Sequence, residues 1–342
     1  MKALVKRESA PGLWMEEVPL PTVGDHEVLI KTKKTSICGT DLHIYKWDAW
    51  AQKTIRVPMV IGHEFMGTIV EVGEQVRGPK IGERVTGEGH VTCGACPGCL
   101  TGKRHLCMYT QGLGVQRHGC FAEYFTLPAE NIFPLPTSIS DELGAIFDPF
   151  GNAMHTALSA DLTGEDVLIT GAGPIGCMAV AIARKAGARY VVITDINDYR
   201  LQLALKLGAT NAINVKKESL TDTMKTLGID NGFTVGMEMS GNPEALRTLL
   251  ETAQPGATIS LLGILPPDCE INWDLVIFKM LKIEGIYGRE IFGTWFKMTH
   301  MLESGLNLDP VITHRFSAND FEQGFQTLLT GNSGKIILDW SE

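Results

Sequence analysis

The sequence predicts a two-part α/β chain, with a β-rich body up to about residue 150 and a doubly wound parallel sheet after it. Three observations carry this. Short strand-like runs punctuated by Gly and Pro fill the first part, with no long helical period. Four clustered cysteines interrupt that body at Cys93, Cys96, Cys99 and Cys107. From Val167 onward, strand, glycine loop, helix and strand follow one another, the order that builds a parallel sheet with helices on both faces.

The 342 residues are enough for two domains, and 44% hydrophobic content with 20% charge is ordinary for a globular chain. A net charge of -9 argues against nucleic acid as a partner, because that needs a basic face. No apolar run approaches the roughly 18 residues of a membrane span. The start, Met1 to Glu8, carries charge where a leader would need an apolar core, so a cytoplasmic protein is expected. Eight cysteines are too sparse for a disulfide framework, and their clustering favours metal ligation in a reducing compartment.

Within the β body, Val28-Leu29-Ile30-Lys31-Thr32 reads as a strand, and Ile61 to Val72 resumes β character. Val76 to Val85, entered through a turn, and Gly119 to Phe125 read as further strands, with Cys120 as a small core residue. Between them lies Ile37-Cys38-Gly39-Thr40-Asp41-Leu42-His43, read as a loop in which Gly39 allows a tight turn that exposes the sulfur. Gly62-His63-Glu64 follows some twenty residues later. Cys38 from one segment, with His63 and the carboxylate Glu64 from another, form a candidate ligand set for a catalytic zinc. Glu64 can equally neighbour a ligand or exchange with a substrate oxygen. The spacing of Cys93, Cys96, Cys99 and Cys107 on a Gly/Pro-rich loop suits a closed, structural zinc site. A redox CxxC would want a βαβ context that is missing here, and iron–sulfur ligation uses comparable spacings.

Asp141 to Asp148 begins a helical run that Pro149 is expected to break, with a second helix from Asn152 to Leu158. Val167 to Thr170 is then a strand, followed by Gly171-Ala172-Gly173-Pro174-Ile175-Gly176 and an apolar helix. Asp195 ends the next strand about 20 residues on. A GxGxxG in this context is the dinucleotide fingerprint: glycines admit a pyrophosphate at the helix N-terminus, and the acid accepts from the ribose hydroxyls. Asp195 favours NAD over NADP, while Arg200 nearby could instead hold a phosphate. Helices near Arg200–Leu207, Leu220–Leu227 and Pro243–Thr252 alternate with strands at 212–215, 234–239, 257–262 and 283–287. Ligands bind at the carboxyl ends of such strands, so Leu262-Gly263-Ile264 and Ile286-Tyr287 belong at the cofactor crevice. Thr294 to Leu302 reads as a core helix, Phe321 to Leu329 as an amphipathic one, and Lys335 to Asp339 as a closing strand.

On these motifs the chain resembles the zinc-dependent medium-chain dehydrogenases over essentially its full length. Within them it is similar to the L-threonine 3-dehydrogenase family, through Cys38-Gly39-Thr40-Asp41, His43 to Asp48, Gly87-Glu88-Gly89-His90, Phe147 to Asn152, Gly285 to Glu290 and Ile312 to Phe316. The resemblance implies a GroES-like catalytic domain, residues 1–150 completed by 289–342, around a Rossmann NAD-binding domain at 151–288. It implies zinc-dependent oxidation of L-threonine by NAD to L-2-amino-3-oxobutanoate, in a homotetramer. The catalytic zinc maps onto Cys38, His63 and Glu64, and the structural zinc onto the four-cysteine cluster. The proton relay maps onto Thr40 and His43, and an acid beside the metal onto Asp148, where many relatives carry Glu. Cofactor contacts map onto Ile175, Asp195, Arg200, Leu262 to Ile264 and Ile286-Tyr287.

Hydride leaves a secondary alcohol only as the hydroxyl proton departs, and a hydroxyl followed by an imidazole gives that proton a path to solvent. An amino-acid substrate also needs a partner for its carboxylate. His90 and Arg289 are the candidates, with Arg289 alternatively on the cofactor pyrophosphate. The other histidines read as structural or surface residues. A polyol or other secondary-alcohol dehydrogenase of the same architecture is the competing expectation.

Overall fold

The computed structural model describes residues 1–341. Six parallel strands form its central sheet, in the spatial order Asn211–Asn214, Tyr190–Asp195, Asp166–Thr170, Phe233–Glu238, Ala253–Leu261, Lys282–Gly285. Numbered along the chain this is 3-2-1-4-5-6, the doubly wound order whose reversal point lies beside the first strand. Val167 and Ile169 face one core and Leu168 the other; Val191, Val192 and Ile193 divide the same way. Burial on both faces is why these strands read as unbroken apolar runs.

The β body is built on the long strand Glu27–Ser36. It pairs antiparallel with Phe65–Val72, with Tyr124–Pro128 and with Lys335–Asp339, and the last of these runs parallel to Ile312–Ser317. The chain therefore leaves this sheet, builds the parallel one and returns to finish the first. The helix Gly293–Glu303 buries Trp295 and Met298 in the core that also takes Phe147, Phe150 and the inner face of the parallel sheet.

Four local expectations are corrected. Residues after Cys38 form the helix Gly39–Lys46, not a loop; Asp41 reaches back to the Cys38 N–H at 2.9 Å, completing a capping box with cysteine in the usual Ser/Thr place. Gly39 is not needed for a turn, and nothing stands within 4 Å of where its Cβ would be. Pro149 does not break a helix: it is the third residue of Phe147–Ala157, where a backbone N–H has no intrahelical partner to lose. The strand expected at Val76–Val85 begins only at Arg84, because Gly78 and Gly82 both turn through positive φ. The run Gly119–Phe125 enters its strand only at Tyr124 and reaches there through bonds to the 60–62 backbone, Cys120 N–H to Gly62 O at 3.0 Å among them.

Candidate active site

Cys38, His63 and Glu64 each present a ligand atom within 4.8 Å of the others. The end of the long strand and the Gly-His-Glu turn are held together directly: Ser36 N–H donates to Glu64 O at 3.2 Å. Gly62 makes the turn possible, with φ +92° and the Phe121 ring where a Cβ would stand. Glu64 is buried and its Oε2 lies 2.6 Å from Lys335 Nζ, a residue of the closing strand. Lys335 also donates to Ile37 O at 2.8 Å. Asp41, fully buried, has Oδ1 3.7 Å from His63 Nδ1. Burial raises the Asp41 carboxyl to about 6, against the pull of His63. Burial works against the charged His63 imidazole, yet Asp41 and then Cys38 outweigh it and push that pKa well up. His63 Nδ1, Asp41 Oδ1 and Glu64 Oε1 have no hydrogen-bond partner among the described residues. Buried polar atoms left single beside a thiol are costly, and a cation bound by this donor set relieves that cost.

Thr40 Oγ1 lies 3.8 Å from Cys38 Sγ, on the first turn of the same helix. His43, one turn further, is exposed, and its Nδ1 is bonded to Asp48, which also caps the next helix through Ala51 N–H at 3.0 Å.

Asp148 sits in the first turn of Phe147–Ala157, where the helix favours negative charge. Burial opposes its ionisation, but Arg289, His63 and His90 outweigh that and hold it below the usual carboxylate range. Arg289 has a different place from the one expected. It is buried, with Nε 2.8 Å from Glu88 Oε2, Nη2 on Glu88 Oε1 and 2.8 Å from Asp148 Oδ1, and Nη1 3.1 Å from Asn152 Oδ1. With these bonds made, its guanidinium has no fork left for a substrate carboxylate or a pyrophosphate. His90 stacks on Tyr287 with centroids 5.2 Å apart. Burial, then Arg289, lowers the pKa of His90, which favours its neutral imidazole.

The ligand atoms of Cys93, Cys96, Cys99 and Cys107 all lie within 4.8 Å of one another. Backbone N–H groups already point at the sulfurs: Cys93 and Tyr109 donate to Cys107 Sγ at 3.4 Å each, and Cys96 to Cys93 Sγ at 3.4 Å. Against the effect of burial, these donors bring the Cys107 thiol down to about 6. A preformed cage of four sulfurs with N–H donors aimed at it fits a tetrahedral zinc.

At the sheet's carboxyl edge, Gly176 packs so closely that a Cβ would overlap the Gly171 carbonyl oxygen, whereas nothing of the protein lies within 4 Å of a Cβ on Gly173. The third glycine of the fingerprint thus serves helix packing, and the second leaves open the face a pyrophosphate would approach. Asp195 accepts from Ala172 N–H at 2.7 Å and from the Ile196 and Asn197 N–H groups at 2.7 and 2.9 Å. Arg200 Nε donates to Gly331 O at 2.9 Å, which turns that part of the side chain toward the C-terminal segment. Ile175 is half-buried beside the loop, and Ile264 and Tyr287 are exposed at the crevice while Ile286 is buried. The sequence reading missed Glu238. This buried acid accepts from Ser240 N–H at 2.8 Å and Gly241 N–H at 3.0 Å, while its backbone oxygen accepts from Leu262 and Gly263 N–H. With the Thr170 hydroxyl also donating to it at 3.4 Å, it ties three strand ends into one rim.

Two family models match: an alcohol dehydrogenase GroES-like domain over residues 24–137 and a zinc-binding dehydrogenase over residues 174–304. The chain is 66% identical to an L-threonine 3-dehydrogenase of Protochlamydia amoebophila, over 99% of this chain and 100% of that one. It is 60% identical to an L-threonine 3-dehydrogenase of Salmonella typhi at the same coverage. Its fold matches a short chain alcohol dehydrogenase of E. coli CFT073 solved with NADH, at TM-score 0.90 and 30% identity over 99% of both chains.

Proposed function

The chain belongs to the L-threonine 3-dehydrogenase family of zinc-binding dehydrogenases, and from that premise we propose that it oxidises the 3-hydroxyl of L-threonine with NAD. The products are L-2-amino-3-oxobutanoate, NADH and a proton. The observation that carries this reading is the meeting of two sites. Tyr287, on the crevice rim, stacks on His90, and Arg289 of the same loop pairs with Asp148 beside His63.

Cys38, His63 and Glu64 would hold one zinc, whose Lewis acidity lowers the pKa of a substrate hydroxyl; the four-cysteine loop would hold a second, structural one. NAD, bound along Gly171, Gly173, Gly176 and Asp195, supplies the hydride acceptor. Lys335 holds Glu64 in place, and the Asp41 carboxylate faces His63 at 3.7 Å. Thr40 accepts the hydroxyl proton as it gives its own to His43, and His43, held by Asp48 at Nδ1, releases a proton to solvent. Asp148 keeps a negative charge at the site, suited to the ammonium group of an amino acid. Neutral His90 donates a hydrogen bond to the substrate.

The reading includes a homotetramer in the cytoplasm. Supporting assembly, the outer strand Lys282–Gly285 is paired on one side only among the described residues, and Trp273, Ile277 and Phe278 of the preceding helix are exposed. All eight cysteines are free, which suits a reducing compartment.

NADH formation is to be followed with L-threonine, L-allo-threonine, L-serine, sorbitol and 2,3-butanediol. L-threonine should give the highest kcat/KM. Faster turnover of sorbitol or butanediol would replace the reading with a polyol dehydrogenase. Metal analysis should give two zinc ions per chain.

A further inference from the structure

Arg289 is committed to protein groups on every side, and the way it is housed shows what it does. Its guanidinium bridges two buried carboxylates from different parts of the chain, Glu88 and Asp148. Glu88 is itself fixed by His90 N–H at 2.9 Å and Trp295 Nε1 at 3.2 Å. Room for the arginine stem is made by Gly151, where a Cβ would come within 2.6 Å of Arg289 Cδ. A cluster of two acids and one base keeps a net negative charge in the interior. Such buried ionic groups are weak devices for stability, since apolar residues of similar volume often do as well.

We propose that Arg289 is a positioning residue for the reaction. It engages Oδ1 of Asp148, so the other carboxylate oxygen is the one free to serve the site. It also anchors the loop of Ile286 and Tyr287, whose ring lies on His90. One side chain thereby sets the acid beside the metal ligands and the rim that receives the nicotinamide cofactor. This inference rests on the dehydrogenase reading. Turnover of L-threonine by the wild-type enzyme tests that reading, and the variants below are compared with the same wild type.

The test is a double-mutant cycle on the zinc-loaded enzyme with Arg289→Met and Asp148→Asn, joined to NADH titration by fluorescence. Arg289→Met should lower kcat/KM for L-threonine about 100-fold, the scale of a misplaced reacting group. In the Asp148→Asn background the same change should cost no more than about twofold, because the acid it positions is already gone. NADH should bind Arg289→Met about tenfold more weakly, since the loop has lost its anchor. Arg289→Lys, which keeps the charge but not the fork, should recover part of both losses. Should Arg289→Met fail to fold, Arg289→Lys takes its place in the cycle with the same expected signs. Additive losses in the cycle, or unchanged NADH affinity, would overturn the proposal and leave Arg289 a structural residue only.

Discussion

Lys335→Met isolates the charge of one buried ion pair while keeping most of the side chain's volume. Lys335 and Glu64 are almost completely buried and 2.6 Å apart. Burial disfavours the lysine's charge, but Glu64 and then Cys38 raise its pKa, so Lys335 carries its charge at neutral pH. Removing one partner leaves an unpaired carboxylate in the interior, a loss of about 3–5 kcal/mol. At about 2.1 cal/mol/K per residue, 342 residues have an unfolding entropy of about 0.7 kcal/mol/K, so Tm should fall by about 4–7 °C. That figure applies to protein stripped of metal with a chelator. In zinc-replete buffer a cation on Cys38 and His63 takes over the neutralisation of Glu64, and the drop should shrink to about half or less. Scanning calorimetry of wild type and variant under both conditions gives the comparison. An equal drop with and without zinc would show that Glu64 is not electrostatically part of the metal site, and the reasoning would fail.

Other expectations follow from the same geometry. Gly176→Ala forces a methyl onto the Gly171 carbonyl and should raise KM for NAD at least about tenfold while leaving zinc content unchanged; an unaltered KM would sink this reading of the fingerprint. The raised pKa of His63, set by Asp41 and Cys38 against burial, means that a proton competes with metal in the neutral range. Zinc affinity at that site should therefore rise as pH rises, measured by competition with a chromophoric chelator, and a flat profile would contradict it. Cys96→Ser should open the cysteine loop to proteolysis near residues 100–109, where Leu100, Met108 and Tyr109 are already exposed; resistance equal to wild type would mean that the loop needs no metal. Phe278→Glu places charge on the exposed apolar face of the helix preceding the outer strand and should yield smaller species by light scattering. An unchanged mass would move the assembly surface elsewhere.

The parallel-sheet half was the most legible part of the chain. The helices at Leu220–Leu227 and Pro243–Thr252 have the bounds that period and proline placement predict, as do the helix Phe321–Leu329 and the strand Lys335–Asp339. Local rules suffice there because each element's burial pattern is written in consecutive residues. The helix after Cys38 escaped because a cysteine occupies the cap and only Asp41, three residues on, carries the signal. The grouping of Cys38 with His63 and of the four cysteines was visible from composition and spacing. Their charge partners were not, since Glu88 is 201 residues from Arg289 and no local pattern links Glu64 to Lys335. An arginine in a functional motif looks free to bind substrate until the acids that claim it are in place.

The strand Lys335–Asp339 occupies an interior position in the β body, between Glu27–Ser36 and Ile312–Ser317. A chain emerging from the ribosome thus completes its middle before its beginning: residues 166–285 can close their sheet while the earlier strands still await a neighbour encoded at the far end. The cation that balances Glu64 arrives with that same late strand. Polypeptides that stop short of residue 335 therefore lack the protein's own counter-charge for Glu64, and until that strand is added only a bound cation could supply one.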